Sequence, residues 1–385
     1  MKKHIYKVIF YLQSVLVHIS YCLFNIFNAR KREGWVVIAV ETASMLKNIS
    51  NALSGSVSVN FAPNKFYSDY KYDYEIYSNS FIFKVINIIY APLIFGYLLN
   101  RHDRFIYLGE SGFLTPFDTG RDNEFRILKA KNKRIICFFM GSEIRSFKLL
   151  EDFSKKKNMD VITTYQPISH IGIDSPELEN ARRRLAESAD KYADEIINPA
   201  IDQMSYIKRL TYPFIYFLSD DLFYSSLSKF DQMDEIRVVH GPSSPIIKGT
   251  PLVRAAIKKL ELEGYKFKYI ELINVPHQTM LRELQSAHIV LNEFYAFVPG
   301  VFGLEAMASH CALLTSADEN IETTLPHGAN SAWSVTPYWS IYDNLKKFLD
   351  KPELIKSQAI VGYNWAKKNY QYKSAVKKLN EIIND

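Results

Sequence analysis

The chain has 385 residues, enough for two domains each with its own core, and its 48% apolar and 23% charged content is that of a globular protein without repeats or low-complexity tracts. The net charge of +6 comes from scattered Lys and Arg, which excludes a basic and aromatic stripe for nucleic acid and suits anionic small substrates or an anionic lipid surface. Cys22, Cys137 and Cys311 lie far apart without Cys-x-x-Cys or Cys/His spacing, so neither a disulfide framework nor a zinc site is expected, and the reducing cytosol is the expected compartment.

Residues Ile5 to Phe27 are heavily apolar, with Lys2, Lys3 and Lys7 before them and Arg30, Lys31 and Arg32 after. The length nearly suffices for a spanning helix. Lys3, Lys7, Ser14, His18, Asn25 and Arg32 recur at spacings of four and seven, however, which lines them along one helix face. Such a helix either lies in a membrane interface, basic ends toward lipid headgroups, or packs on the body of the protein. No small-residue cleavage site follows, which disfavours a removed signal peptide.

Next, Gly34 to Val40 reads as a buried parallel strand, and Glu41-Thr42-Ala43-Ser44 leads into a helix through Leu53. This βα turn lacks the Gly-x-Gly-x-x-Gly spacing of a dinucleotide fingerprint. Strands follow at Ser56 to Phe61, Arg104 to Gly109, Lys133 to Met140 and Glu195 to Asn198. Between them lie a Tyr- and Asp-rich loop from Phe66 to Tyr77, an apolar helix from Phe81 to Leu99 interrupted by Pro92, and a helix from Pro176 to Ala193. In open α/β sheets the loops at the carboxyl ends of strands hold the ligand site. Glu143 and Arg145, just past such a strand, are therefore candidates for chemistry, against a plain surface ion pair. His170 is a lone loop histidine with no partner signal.

The pattern breaks from Tyr206 to Met233, where the domain boundary is placed. Arg237 to His240 begins a fresh strand, followed by Gly241-Pro242-Ser243-Ser244-Pro245-Ile246-Ile247-Lys248-Gly249-Thr250 and a helix from Pro251 to Glu263. A small-residue loop with a Lys at the mouth of a helix is a plausible diphosphate cradle. After a strand at Tyr269 to Ile273 and a helix at Gln278 to Ser286, the apolar run Ala287 to Leu291 leads into NEFYAFVPGVFGLEAMAS, Asn292 to Ser309. A helix opening on Gly303-Leu304-Glu305 would aim free N–H groups at an anion, with Glu305 in its first turn able to accept hydroxyl hydrogen bonds. Phosphate and hydroxyls together suggest a nucleotide; the alternative is a Glu305 that only caps its helix. Helices Lys346 to Leu349, Pro352 to Asn369 and Ser374 to Ile383 close the chain.

The pair HGPSSPIIKGT and AFVPGVFGLEAMAS resembles the donor half of the GT-B glycosyltransferases, in particular the retaining, metal-independent, family 4-like group that builds bacterial lipopolysaccharide and capsule. GWVVIAVETASMLKNISNAL and FFMGSEIRS are similar to the other half of that group. The resemblance implies two Rossmann-like doubly wound α/β domains facing across a cleft, with a C-terminal helix returning to the first. It divides the chain into an N-terminal helix (1–32), an acceptor domain (33–205), a donor domain (206–360) and returning helices (361–385). It further implies that Lys248 binds the donor diphosphate, that Gly300, Val301, Phe302, Gly303 and Leu304 bring backbone amides against it, and that Glu305 holds the ribose hydroxyls. His240, Gly241, Ser244 and His277 fill out the expected donor pocket, the nucleobase lying along Val275 to His277.

Two departures stand out. The acidic residue expected eight positions before Glu305 is Phe297, so Glu293 or Asn292 takes over, or backbone groups hold the sugar. The usual Arg before Lys248 is missing, which leaves Arg145 across the cleft to share the charge. The expected machinery is thus Lys248, Glu305, Arg145 and Glu143, with no cofactor and no metal, since there is no Asp-x-Asp. The expected function is sugar transfer from a nucleotide sugar to a glycan or lipid-linked acceptor, by a cytoplasmic protein held on the inner membrane face through residues 1–32. A nucleotide-sugar epimerase or hydrolase, which would need Glu143, His240 or His170 as acid and base, and a non-catalytic binding protein remain as alternatives.

Overall fold

The architecture is that of a computed structural model, which describes residues 2–26, 32–63, 69–77, 81–115, 120–224, 226–231 and 233–384. In the first half, β1 (Trp35–Ala39), β2 (Val57–Asn60), β3 (Tyr74–Glu75), β4 (Arg104–Leu108), β5 (Arg134–Phe138) and β6 (Glu195–Ile197) form one parallel sheet in the order β3-β2-β1-β4-β5-β6. Every residue of β1 is buried, as apolar runs covered on both faces require. The crossovers are α2 (Met45–Ala52), α3 (Phe81–Arg101), α4 (Asp122–Ala130), α5 (Phe147–Lys157), α6 (Ile162–Ser169) and α7 (Pro176–Tyr192). Helix α7 starts where its sequence says: Ser175 Oγ accepts from Leu178 N–H at 3.4 Å, and Pro176, Glu177 and Glu179 occupy the first turn. Where a loop is expected at 66–77, the edge strand β3 forms instead, because Asp73 accepts from both Ser58 N–H (2.8 Å) and Ser58 Oγ (2.7 Å) and docks the segment beside β2. The start of that expected loop, residues 66–68, lies outside the described residues.

The second half repeats the design with β7 (Arg237–His240), β8 (Lys268–Glu271), β9 (Ile289–Leu291), β10 (Ala312–Thr315) and β11 (Ser334–Val335), parallel in the order β11-β10-β9-β7-β8. Its helices are α8 (Thr250–Leu262), α9 (His277–Ser286), α10 (Gly300–Ala308), α11 (Ala329–Ala332), α12 (Ile341–Asp350) and α13 (Glu353–Tyr370). The buried segment Phe214 to Leu218 joins the halves into a continuous core, and Leu218 N–H donates to Tyr370 O at 3.0 Å. The last helix, α14 (Tyr372–Asn384), returns to the first half, where Tyr372 donates to Asn48 O (3.3 Å) and Arg134 to Ile383 O (2.5 Å).

The N-terminal helix α1 (Lys2–Ile26) lies along α3. Gln13 donates to Ile88 O at 3.0 Å and Ser20 to Leu93 O at 2.7 Å. Gly96 permits this approach, since a Cβ there would sit 2.5 Å from Val17 O. Gln13, Val17 and Ser20 are buried, whereas Val8, Tyr11, Val15, Ile19, Leu23 and Ile26 are exposed. The sequence-level polar face is thus only part of the picture: His18 and Asn25 are exposed and Ser14 is half-buried, while the side chains of Lys3 and Lys7 and residues 30 and 31 lie outside the described residues. By length and composition, Val8–Ile26 is apolar enough to cross a membrane.

Candidate functional site

All strands of each sheet run parallel, so each half collects its βα loops at one carboxyl edge. From β7 the chain enters loop 241–249, which closes as a tight turn: Lys248 N–H donates to Ser244 O (3.0 Å), Gly249 N–H to Ile246 O (3.2 Å) and Thr250 N–H to Pro245 O (2.9 Å). Gly249, at φ 78°, adopts the left-handed conformation from which α8 starts. The ammonium of Lys248 donates to the carboxylate of Glu293, whose side chain is 5% exposed against 25% for Lys248. Burial raises the Glu293 carboxyl above its ordinary pKa, and the Lys248 charge opposes that rise.

After β9, Asn292 Nδ2 donates to Pro299 O (2.8 Å) and Thr315 Oγ1 (3.3 Å), folding loop 292–299 back on itself. With Pro299 clamped, α10 starts at Gly300, one turn before the expected Gly303. The N–H groups left without acceptors by helix geometry are therefore those of the turn Gly300 to Gly303, and Glu305 stands in the second turn, where it is no cap. Gly303 is required here, because a Cβ would lie 2.7 Å from Asn292 Nδ2. Glu293 Oε1 is 3.2 Å from the position a Gly300 Cβ would take, so the Lys248–Glu293 pair adjoins the helix start. Gly241 completes the wall, its Cβ position 2.8 Å from both Met280 Cε and Phe302 Cζ.

Glu305, 6% exposed at its side chain, bonds through Oε1 to Nε2 of His277, the first residue of α9, at 2.7 Å. That hydrogen bond raises the pKa of His277 above its ordinary value. The sign follows from linkage: the pair's contribution to stability is complete below the unfolded value, about pH 6.5, and is lost as pH rises through the raised folded value. Glu305→Gln is expected to move the His277 titration midpoint down toward its ordinary value in a ring-proton NMR titration. An unchanged midpoint would show that this contact is not formed in solution.

Three expected site residues are placed elsewhere. His240 is fully buried, its Nδ1 bonded to Leu291 O (2.7 Å) and its Nε2 to Thr250 Oγ1 (2.9 Å). A carbonyl can only accept, so Nδ1 carries the proton, and burial lowers the pKa to about 4, leaving a neutral strut between β7, β9 and α8. Leu304, expected to offer its backbone amide, is the fifth residue of α10, where helix geometry gives the N–H an acceptor within the helix, and its side chain is fully buried in the core. Arg145, also buried, gives Nε to Asp202 O (2.7 Å) and a terminal nitrogen to Asp202 Oδ2 (3.0 Å), so its guanidinium is engaged within the first half.

Asp202 in turn accepts Phe297 N–H at 2.9 Å. The Phe297 ring is buried against Leu150 and Val161, and meets Phe153 edge to face at 5.8 Å. The position where an acid is expected therefore holds an apolar plug that fastens loop 292–299 to the first half, and Glu293 is the carboxylate beside Lys248. Next to this plug, the fully buried Glu322 accepts N–H bonds from Ala200 (2.9 Å), Ile201 (2.7 Å) and Asp202 (2.9 Å). Asp202 and Glu322 were not read from sequence. Asp202 carries one signal, its place just beyond the carboxyl end of β6.

Glu143 stands at the carboxyl edge of the first sheet. Its Oε2 accepts Gly141 N–H at 2.8 Å, and its Oε1 faces Gly109, 3.1 Å from a Cβ position there. Burial raises its pKa, with the backbone N–H bonds opposing. Among the described residues no group of three His, Cys, Asp or Glu side chains is placed to hold a metal ion.

No protein-family model matches the sequence, and no curated protein does. Among solved structures, the chain is similar to a sucrose-phosphate synthase from Thermosynechococcus elongatus at 12% identity, over 91% of this chain and 98% of that one, with a TM-score of 0.57. Looser likenesses are Phytolacca americana UGT2 complexed with UDP-2fluoro-glucose and pterostilbene (11% identity, 91% and 98% coverage, TM-score 0.49) and MnaA from S. aureus in a co-structure with UDP (13%, 91% and 96%, 0.48). The likeness to the synthase shows the fold, the two-sheet GT-B architecture expected from the sequence.

Proposed function

We propose that the chain is a glycosyltransferase that takes a sugar from a nucleoside-diphosphate donor and passes it to a hydroxyl of a glycan or lipid-linked acceptor. The observation that carries this reading is the grouping, around the first two turns of α10, of Lys248, the N–H groups of Gly300 to Gly303 and the Glu305–His277 pair. A diphosphate would take the positive charge of Lys248 and of the helix terminus, and ribose hydroxyls would donate to Glu305. The leaving nucleoside diphosphate needs only that its growing negative charge be met while an acceptor oxygen is held near the anomeric carbon. Lys248 and the amides supply the first requirement without a metal, and Glu143, at the carboxyl edge of the first sheet, is the candidate carboxylate of the half that would hold the acceptor. Transfer of a hexose with retention, a place in bacterial cell-surface polysaccharide synthesis, and a peripheral position on the cytoplasmic membrane through residues 1–32 are the finer parts of the reading, and they rest on the sequence resemblance.

Thermal shift with nucleotides and nucleotide sugars tests the proposal. A donor present at about 100 times its Kd stabilises a folded protein by about 2.7 kcal/mol, and Glu305→Gln should remove much of that response. No shift with any nucleoside diphosphate or nucleotide sugar would overturn the reading.

A further inference from the structure

Away from the donor groups, the first half holds a polar cavity of about 380 Å³ between α2 and the segment that leads into β3. Lys47, Ser50, Asn51 and Ser54 recur at spacings of three and four, so one polar stripe of α2 and the residue just past its end form one wall. Lys71, Tyr72 and Asp73 form another.

Both walls are fixed by contacts of their own. Asp73 is held through Oδ2 by Ser58 N–H and Oγ, and the Tyr72 hydroxyl donates at 2.9 Å to Glu41, just past the carboxyl end of β1. The turn after α2 is fixed too. Ser56 Oγ donates to Ser50 O at 2.6 Å, and Gly55, at φ 68°, passes so near the segment before β1 that a Cβ would lie 2.7 Å from Glu33 O.

Several polar groups of these walls are left unengaged. Ser50 Oγ is buried with no hydrogen-bond partner, a state that folded proteins rarely keep unless a ligand or water completes it. Among the described residues, Asp73 Oδ1 accepts no hydrogen bond, and neither Lys47 nor Lys71 reaches a carboxylate; the Lys47 ammonium lies 5.6 Å from the centroid of the Tyr70 ring. A merely solvated helix face would explain the two lysines but not the enclosed hydroxyl or the rigid carboxylate beside them. Of the lining side chains only Leu53 is aliphatic, which disfavours an apolar ligand, and there is no arginine fork for two-point grip on a phosphate. Hydroxyls, an amide, a carboxylate oxygen and two ammonium groups together suit a ligand with many hydroxyls and one negative charge.

We propose that this cavity binds a saccharide unit bearing one carboxylate, with Lys47 and Lys71 meeting the charge and Asp73, Asn51 and the serines meeting the hydroxyls. Binding here does not depend on the glycosyltransferase reading. Taken with that reading, it names an acidic glycan as the acceptor class, and Tyr72 with Glu41 joins the cavity to the carboxyl edge of the first sheet.

Calorimetric titration of the full chain tests the proposal with glucuronic, galacturonic and mannuronic acids, a uronic-acid oligosaccharide of each, glucose and acetate. At least one uronic acid or its oligosaccharide is expected to bind, and glucose and acetate are not. Tighter binding of the oligosaccharide identifies the ligand as a unit of a chain; equal affinity identifies it as the free sugar acid. Lys47→Met/Lys71→Met should weaken binding about tenfold or more, and Ser50→Leu, which fills the cavity from α2, should abolish it. Lys258→Met, at an exposed lysine of α8, should bind as wild type, and thermal melts show that all three variants fold. Acetate binding as tightly as the sugar acids would reduce the site to a patch of charge and overturn the proposal, as would equal binding of glucose or no binding of any uronic acid or oligosaccharide. A UDP thermal shift without sugar-acid binding would leave the transferase reading standing; sugar-acid binding without any nucleotide response would leave the cavity assignment standing and overturn that reading.

Discussion

Lys248→Met is expected to lower turnover of the nucleotide sugar by about two to three orders of magnitude, the usual effect of removing one preorganised group that meets charge developing on a leaving oxygen. The variant should also be less stable. Glu293 is 5% exposed and Lys248 is the cation it touches, so removing the ammonium leaves a buried carboxylate without its partner. Breaking such a pair costs about 3–5 kcal/mol, reduced to the extent that the carboxyl takes up a proton. Burial already raises its pKa and Lys248 is the largest influence holding it down, so losing the ammonium is expected to raise it further, toward uptake of a proton.

The two effects can be separated in the double variant Lys248→Met/Glu293→Gln. The neutral amide removes the stranded charge, so urea denaturation should show most of the stability restored, while turnover stays low. Recovery of turnover in the double variant would mean that Lys248 acts by neutralising Glu293 and not by meeting the donor phosphates. Full turnover in Lys248→Met alone would remove the centre of the proposed site.

The architecture was legible because its signals are local. Val36–Ala39 and Ile135–Phe138 are runs buried on both faces, and such runs have few conformations open to them other than central parallel strands. Helix α7 announces itself by Ser175, Pro176 and two first-turn glutamates. Helices α4 and α6, at 9 and 8 residues, are too short to show a sustained apolar period, and β3 is two residues whose pairing depends on Asp73 and Ser58, 15 positions apart.

For the candidate site residues, which side chains come close together was more legible than how each is turned. The motif resemblance grouped Lys248, Glu293, His277 and Glu305, which the structure holds as the pairs Lys248–Glu293 and His277–Glu305. It says nothing about whether a side chain turns into the cleft or under it, which is why His240 was expected to face a donor and instead braces three elements. The start of α10 was misplaced because Gly303-Leu304-Glu305 has the composition of a helix opening, whereas the clamp that sets the start is Asn292, seven residues from the carbonyl it holds. Arg145 finds its partner 57 residues away, beyond any local pattern.

That long-range layer also carries the second large expectation. Glu322→Gln should destabilise the protein by about 2–4 kcal/mol in urea denaturation, although Glu322 lies outside the donor groups. Its carboxylate is fully buried and accepts three consecutive backbone N–H groups, of Ala200, Ile201 and Asp202, besides Thr324 Oγ1 at 2.5 Å. A glutamine offers one oxygen to donors that needed two, and turns an NH2 toward N–H groups that cannot accept from it. The damage should spread along a defined route. Residues 200–202 present Asp202, which holds both Arg145 and Phe297 N–H, and Phe297 lies in the loop that carries Glu293. Hydrogen exchange is therefore expected to rise first at 200–202 and 296–298, on both halves together, with α7 and the strand β1 unaffected at the same denaturant concentration. Exchange that rises uniformly across the chain would contradict the view that this carboxylate is the local fastening between the halves. Where the fastening is loosened and Lys248 left in place, KM for the proposed donor should rise more than kcat falls, because the groups proposed to meet the phosphates remain in loop 241–249 and on α10 while the loop holding Glu293 beside them loses its support from the first half.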